Sequence, residues 1–210
     1  MASWRALVLG AGVLCLGAPP ARAANETAAE LAHRARGECE IGREAVARQT
    51  RQHHFERGQA LAERAVAADD TIAEAHFALF CNMGELMRLD GEKITSVLGL
   101  HRLMAELDRT LALDPDHADA LGAKGTLLVR LPRLFGGDVA RGEELLRLSV
   151  RHDPTSVASR LVLARTCEAR GARAEAVAFT RRALEIARQQ GRADKVAEAQ
   201  AILADLGAGR

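Results

Sequence analysis

Histidine and carboxylate side chains can hold a metal ion or transfer protons, so they are the first candidates for a chemical site. His53 and His54 are adjacent and lie near Glu56, in a segment with a helical pattern. Neighbouring residues on a helix point about 100° apart, so the two imidazoles cannot both readily reach one metal ion. The chain has no His-Glu-x-x-His sequence, and its other histidines are scattered. We therefore predict no metal site.

Motifs for nucleophilic catalysis and for phosphate binding are also missing from the sequence. The chain has no Gly-x-Ser-x-Gly elbow. Its glycine pair, Gly136-Gly137, is followed by Asp138 and not by the lysine and hydroxyl residue of a phosphate-binding loop. On this basis we predict no catalytic residues, no cofactor and no enzymatic activity.

Three cysteines, Cys39, Cys81 and Cys167, lie outside the apolar N-terminal stretch, which contains the fourth, Cys15. No two of the three have the spacing of metal ligands. Two interpretations stay open for them. They are either three buried thiols that act as small hydrophobic residues, which we favour, or one disulfide and one free thiol.

The first residues have the pattern of a secretory signal peptide. Arg5 precedes an apolar stretch over 6–17, and Ala21-Arg22-Ala23 has the form of an A-x-A cleavage site. The stretch is too short to cross a bilayer, which takes about 20 residues. We predict a signal peptide over 1–23, cleavage after Ala23, and a single mature domain over 24–210 that is periplasmic or secreted. The alternatives are an uncleaved interfacial anchor and a lipid on Cys15, although Leu14 before it is bulky for a lipidation site.

Composition excludes some classes of partner. The chain has 210 residues, a formal net charge of +1 and 48% hydrophobic residues, which is typical of a globular protein without strong attraction to nucleic acid or anionic lipid. The single tryptophan, Trp4, lies in the predicted signal, there is no tyrosine, and five phenylalanines remain. Stacking of bases needs several exposed rings. We predict no nucleic-acid partner, and involvement of the membrane only through export.

Helical periodicity follows from residue 26 onward, and small residues recur within it at the spacing of a helical-hairpin repeat. Counting from Val157, Ala164, Ala176 and Ala183 take small-residue places, and Gly171 takes a turn. Antiparallel helices approach closely where small side chains meet, so we expect Ala164 to face Ala176. The junctions Asp114-Pro115 and Asp153-Pro154 each lie between two helical segments, and we expect each aspartate to cap the helix that follows.

Three earlier units begin near Ala28, Glu74 and Ala118. The last two are longer than the repeat requires, and the excess falls in Leu89–Leu100 and in "LPRLFGGD" from Leu131. In that second segment, Pro132 ends a helix, Gly136 and Gly137 permit a turn with positive φ, and Asp138 caps the next helix. The stretch from Arg192 to Leu206 is apolar on one face, as in a cap helix that closes a solenoid. The sequence thus predicts an all-α fold of about four irregular helix pairs with a C-terminal cap helix, and an up-down bundle is the rival.

These residues resemble the tetratricopeptide-repeat (TPR) family over nearly all of the mature chain. The resemblance implies a right-handed solenoid that binds a protein or peptide on the concave face formed by the first helix of each pair. Groove-facing places in such a fold correspond here to Asn82, Glu85, Thr126, Arg130, Arg165 and Glu168. Arginine and asparagine can hold a carboxylate or an extended peptide. The alternative is that these six positions form an ordinary solvated helix face.

The segment "LPRLFGGDVARGEELLRLSVRHDP" also resembles the periplasmic TPR proteins of the T-component family of TRAP transporters. The resemblance rests on Pro132, Phe135, Gly136, Gly137, Asp138 and Pro154. It implies an accessory protein that docks on a solute-binding protein and handles an apolar ligand. Arg141-Gly142 departs from the family pattern. We favour a packing role for Phe135, between the two helices of its own repeat, over a binding role. The sequence is also compatible with a homo-oligomer.

Overall fold

A computed structural model describes residues 26–89 and 97–208 of the chain. The predicted signal peptide over 1–23 and most of the connection predicted over Leu89–Leu100 lie outside these residues. In the described part, the secondary structure is helical, and no helix there combines the length and apolarity that a bilayer span requires. The helices are α1 (Ala28–Glu44), α2 (Arg48–Ala68), α3 (Ala73–Leu89), α4 (Val97–Leu113), α5 (Ala118–Arg130), α6 (Val139–His152), α7 (Val157–Ala169), α8 (Arg173–Gln189) and α9 (Ala193–Ala208).

The helices pack as consecutive pairs, α1 with α2, α3 with α4, α5 with α6 and α7 with α8, and α9 packs on α8. The first helices of the pairs begin at Ala28, Ala73, Ala118 and Val157, within one residue of the repeat starts expected from sequence. Four helix pairs and a cap helix are therefore confirmed for the described residues. Ala164 and Ala176 are fully buried in one core cluster, as small residues at a close helix approach should be.

The Asp-Pro junctions differ in detail from the sequence prediction. Asp153 is the C-cap of α6, and its side chain accepts a hydrogen bond from the backbone N–H of Thr155. Ser156 is the N-cap of α7, and His117 takes the same place at α5. The aspartates therefore shape the turn between two repeats. The helix that follows begins three residues beyond each proline, so the side chain just before it has to accept from its first turn.

The N-terminal half of the solenoid contains a disulfide between Cys39 on α1 and Cys81 on α3. Their Cα atoms are 6.4 Å apart, within the range that a disulfide can bridge. Cys167 is the free cysteine, and it is buried. The interpretation of three buried thiols is therefore wrong. Sequence spacing could not decide the pairing because the two cysteines lie 42 residues apart and meet only when α1 packs on α3.

The glycine-containing loop between α5 and α6 adopts the predicted turn. Leu131, the C-cap of α5, is extended, and Pro132 starts a 3₁₀ turn over Arg133–Phe135. Gly136 has a φ of 85°, in the left-handed region that favours glycine. The side chain of Asp138 accepts a hydrogen bond from the N–H of Arg141 and so caps α6.

Candidate functional site

The first helices of the pairs line a groove of about 710 Å³, to which α1, α3, α5, α7 and α9 all contribute. This arrangement follows from the packing, because α1 lies beside α3, and α5 and α9 both lie beside α7. The lining mixes charged residues with apolar ones such as Phe80, Ala123 and Val162. A groove of this kind can accommodate a length of polypeptide by shape, by hydrogen bonds and by ion pairs.

Two of the residues that the sequence assigns to the groove, Asn82 and Glu85, make contacts between α3 and α1. Asn82 is fully buried, and its amide donates hydrogen bonds to the backbone carbonyls of Ala35 and Ala78 at 3.0 and 2.9 Å. The carboxylate of Glu85 is 5% exposed and binds Arg43 at 2.7 Å and Arg88 at 2.8 Å. Glu85 nevertheless lines the groove, whereas Asn82 faces α1 and is not part of the lining, which corrects the assignment of Asn82.

One arginine that sequence reasoning missed links three first helices across the groove. Arg36 on α1 binds Asp119 on α5 at 2.6 Å and Glu74 on α3 at 3.7 Å. Its guanidinium also lies 4.6 Å from the ring centroid of Phe77. Burial lowers the pKa of Arg36, but the hydrogen bond to Asp119 and the nearby carboxylates outweigh it and the pKa is raised. Arg36 therefore remains charged and fixes the spacing of the helices.

Thr126 and Arg130, on α5, do line the groove at its middle. The hydroxyl of Thr126 donates to the carbonyl of Gly122 at 2.7 Å. Arg130 is exposed, and its side chain has no hydrogen bond or ion pair with any residue of 26–89 or 97–208. It therefore differs from Arg36, Arg43 and Arg88, which each bind a carboxylate within the chain, although Arg43 and Arg88 share that of Glu85.

A half-open pocket of about 410 Å³ adjoins the groove and shares Arg130 with it. Its apolar lining is Val129, Val139, Leu161, Val162 and Ala169. Arg165 lies at the pocket and binds Asp205 at 3.1 Å and Glu168 at 3.5 Å. The structure thus brings Arg130 and Arg165 together and shows Glu168 as an intramolecular partner of Arg165. Val139 was missed because it belongs to a second helix, whose residues a regular repeat keeps out of the groove.

The loop that carries Phe135 does not pack as the sequence analysis favoured. The ring of Phe135 is 48% exposed, Leu134 beside it is 87% exposed, and neither belongs to a core cluster of the described residues. The interpretation of Phe135 as a plug between α5 and α6 is therefore wrong. The glycines at the α5–α6 contact let the two helices approach so closely that no gap remains there for a ring.

One cluster has donor atoms that suit a metal ion. The carboxylates of Glu143 and Glu175 and the thiol of Cys167 lie within 4.8 Å of one another. Two arginines already bind this cluster: Arg147 contacts both carboxylates at 2.7 and 2.6 Å, and Arg170 contacts them at 3.2 and 2.7 Å. Burial raises the pKa of Cys167 and so favours the neutral thiol, which is a poor ligand. The charges balance without a metal, so the cluster serves as an ion-pair network joining α6, α7 and α8.

Comparison with solved structures shows the fold. A thermophilic TPR protein of Thermus thermophilus is similar with a TM-score of 0.62 and 17% identity, covering 85% of this chain and 82% of that one. MamA is similar with a TM-score of 0.47 and 17% identity, covering 78% and 92%. Yeast Tom70 has a TM-score of 0.44 and 16% identity, covering 85% and 40%. No protein-family model and no curated protein matches the chain. The described residues therefore form a TPR-like right-handed solenoid.

Proposed function

We propose that this chain is an exported scaffold that binds a segment of a partner protein along its groove. The proposal rests on which arginines of the groove already have an ion-pair partner within the chain. Arg36, Arg43 and Arg88 are paired within the chain, whereas Arg130, at the middle, is not. Desolvating a paired charge is costly, but an unpaired exposed arginine gains a carboxylate partner in a bidentate arrangement. The groove therefore suits an extended segment with an acidic group near its centre.

Export is part of this proposal and rests on the signal pattern of 1–23. It places the scaffold in the periplasm or outside the cell, where the disulfide between Cys39 and Cys81 is stable. An intact mass that begins at Ala24 in the exported fraction supports this location. A mature mass that retains Trp4 contradicts it.

A second candidate is an accessory role in a TRAP-type transporter, in which the chain docks on a solute-binding protein. Two observations favour it: the sequence resemblance of the segment around Phe135, and the apolar pocket of about 410 Å³ next to that segment. This candidate requires the captured partner to be a solute-binding protein, or the pocket to hold an apolar ligand.

The test is capture of partners by the mature chain from its own periplasmic extract, identified by mass spectrometry. Ala158 is exposed on α7 and lines the groove, so Ala158→Arg places a long side chain in the groove without disturbing the core. Ala178 is exposed on α8, and Ala178→Arg is the matched control.

A partner captured by the wild-type and Ala178→Arg chains but lost with Ala158→Arg supports binding in the groove. A partner held equally by all three chains contradicts it. If no protein is captured, extraction of the purified chain for small apolar molecules decides for or against the second candidate.

A further inference from the structure

The loop between α5 and α6 presents large apolar side chains to solvent. Leu134 is 87% exposed and Phe135 is 48% exposed. Burial of either side chain is favourable, so a chain that leaves both outside its core forgoes that stabilisation. Adjacent exposed side chains of this size are typical of interaction sites.

This loop is held in one conformation by its own backbone. The carbonyl of Pro132 accepts from the N–H groups of Phe135 at 2.9 Å and Gly137 at 3.1 Å. The N–H of Asp138 donates to the carbonyl of Leu128 on α5 at 3.0 Å. A partner that contacts Leu134 and Phe135 therefore does not have to order the loop first, which lowers the entropic cost of binding.

The loop lies at the rim of the apolar pocket. Arg130 lies just before Leu131, the first residue of the loop, and Val139 lies just after Asp138, the last. Both Arg130 and Val139 line the pocket. Val139 is itself 54% exposed. The loop is thus bounded on both sides by residues of the pocket, whose apolar lining also includes Val162.

The charge available on this surface is positive. The guanidinium groups of Arg130 and Arg133 have no hydrogen-bond or ion-pair partner among the described residues. Two other arginines at the pocket are compensated, Arg165 by Asp205 and Arg170 by Glu175. Glu198, the acidic residue of the pocket lining, binds Lys195 at 2.7 Å. A ligand therefore meets two unpaired guanidinium groups beside apolar side chains.

From these observations we infer that a loop surface, made of Arg130, Arg133, Leu134, Phe135, Val139 and the adjoining pocket, docks an amphipathic segment of a partner protein with carboxylates beside its apolar residues. The apolar side chains contact Leu134, Phe135 and the pocket, and the carboxylates pair with Arg130 and Arg133. The inference rests on the proposed function in that the partner is a protein, and it goes further by naming a second contact and its chemistry.

The test uses two fluorescein-labelled helical peptides, one of leucine and glutamate and one with lysine at every glutamate position, and measures anisotropy with the mature chain. The leucine–glutamate peptide should bind about tenfold or more tightly than the lysine peptide, equivalent to about 1.4 kcal/mol. Leu134→Ser with Phe135→Ser should weaken it by a similar factor. Arg130→Gln with Arg133→Gln should weaken it and flatten its dependence on salt.

Val46 is 99% exposed beyond the end of α1, so Val46→Ser is the matched control for removing an exposed apolar side chain, and it should bind like the wild type. Circular dichroism checks that each variant is folded. Equal binding of the two peptides, or unchanged binding by the loop variants, overturns the inference.

Two further measurements test the loop surface separately from the groove and from self-association. If Ala158→Arg leaves the leucine–glutamate peptide bound while the loop variants release it, the loop surface stands independently of the groove. Sedimentation velocity of the chain alone tests whether a second copy of the chain covers the loop surface. If the chain is a dimer, and Leu134→Ser with Phe135→Ser converts it to a monomer, the surface is a dimer interface and the inference is overturned.

Discussion

Gly125 on α5 and Gly142 on α6 face each other across the closest approach of these two helices. A Cβ atom on Gly125 would lie 2.8 Å from the carbonyl oxygen of Gly142, and a Cβ atom on Gly142 would lie 2.8 Å from the carbonyl oxygen of Gly125. Both contacts involve backbone, which cannot turn aside as a flexible side chain can. The pair therefore sets the distance between the helices that hold the loop surface.

Gly142→Ala should destabilise the chain. Overpacking of this kind costs about 1–3 kcal/mol, which exceeds the gain of about 1 kcal/mol that alanine brings to a helix interior. Gly37, on α1, has no atom within 4 Å of the position a Cβ would take, so Gly37→Ala should instead be stabilising. Urea unfolding of the two variants should thus show opposite signs; stabilisation by both would contradict the close approach.

The repeat register could be predicted from sequence because small residues are required at fixed places. Ala164, Ala176 and Ala183 mark where helix axes approach, and a larger side chain there would displace a helix. The turn at Gly136 could be predicted for a related reason, since positive φ favours glycine strongly. Both features depend on local chemistry that the sequence carries directly.

The candidate site could be predicted only in part, because it depends on how far each pair departs from a regular repeat. Glu85, Thr126 and Arg130 line the groove, and their role in binding stays a prediction. Asn82 lies outside the groove lining because it is buried against α1, which the repeat pattern does not show. The exposure of Phe135 escaped prediction as well, since a sequence does not show whether a gap exists for a ring to fill.

The disulfide between Cys39 and Cys81 should make a large contribution to stability. It closes a loop of 42 residues, for which the loss of chain entropy in the unfolded state is worth about 4 kcal/mol. Cys39→Ser with Cys81→Ser should lower the free energy of unfolding by an amount of this order. Cys167→Ser, which removes the free thiol, serves as the control.

Thiol titration checks the disulfide independently of stability. In denaturant without reductant, the mature chain should react at Cys167 alone, and after reduction at Cys39 and Cys81 as well. Reaction at all three cysteines before reduction would contradict the pairing.

The change in stability between neutral and acidic pH should depend on Glu175. The hydrogen bond from Arg147, followed by the one from Cys167, lowers the pKa of Glu175 below its usual 4.5. Because the folded chain favours the ionised carboxylate, this contribution is present above pH 4.5 and is lost as the pH falls through the lower folded pKa. Glu175→Gln should therefore lower the melting temperature at neutral pH, and the difference from wild type should shrink below pH 4.5.

Glu144→Gln is the control for loss of a negative charge, because Glu144 is exposed and pairs with a single arginine, Arg141. A difference between the wild-type and Glu175→Gln chains that stays constant across this pH range would contradict the prediction.

The conformation of the loop should depend on Gly137 as well as on Gly136. A Cβ atom on Gly137 would lie 1.8 Å from the carbonyl oxygen of Leu131, so Gly137→Ala forces the backbone of the loop to move. We expect a loss of about 1–3 kcal/mol in stability. If the loop surface docks a partner, binding of the leucine–glutamate peptide should weaken as well. Gly207→Ala, where a Cβ meets nothing within 4 Å, should lower neither quantity. A Gly137→Ala chain as stable as wild type would show that the loop tolerates another conformation.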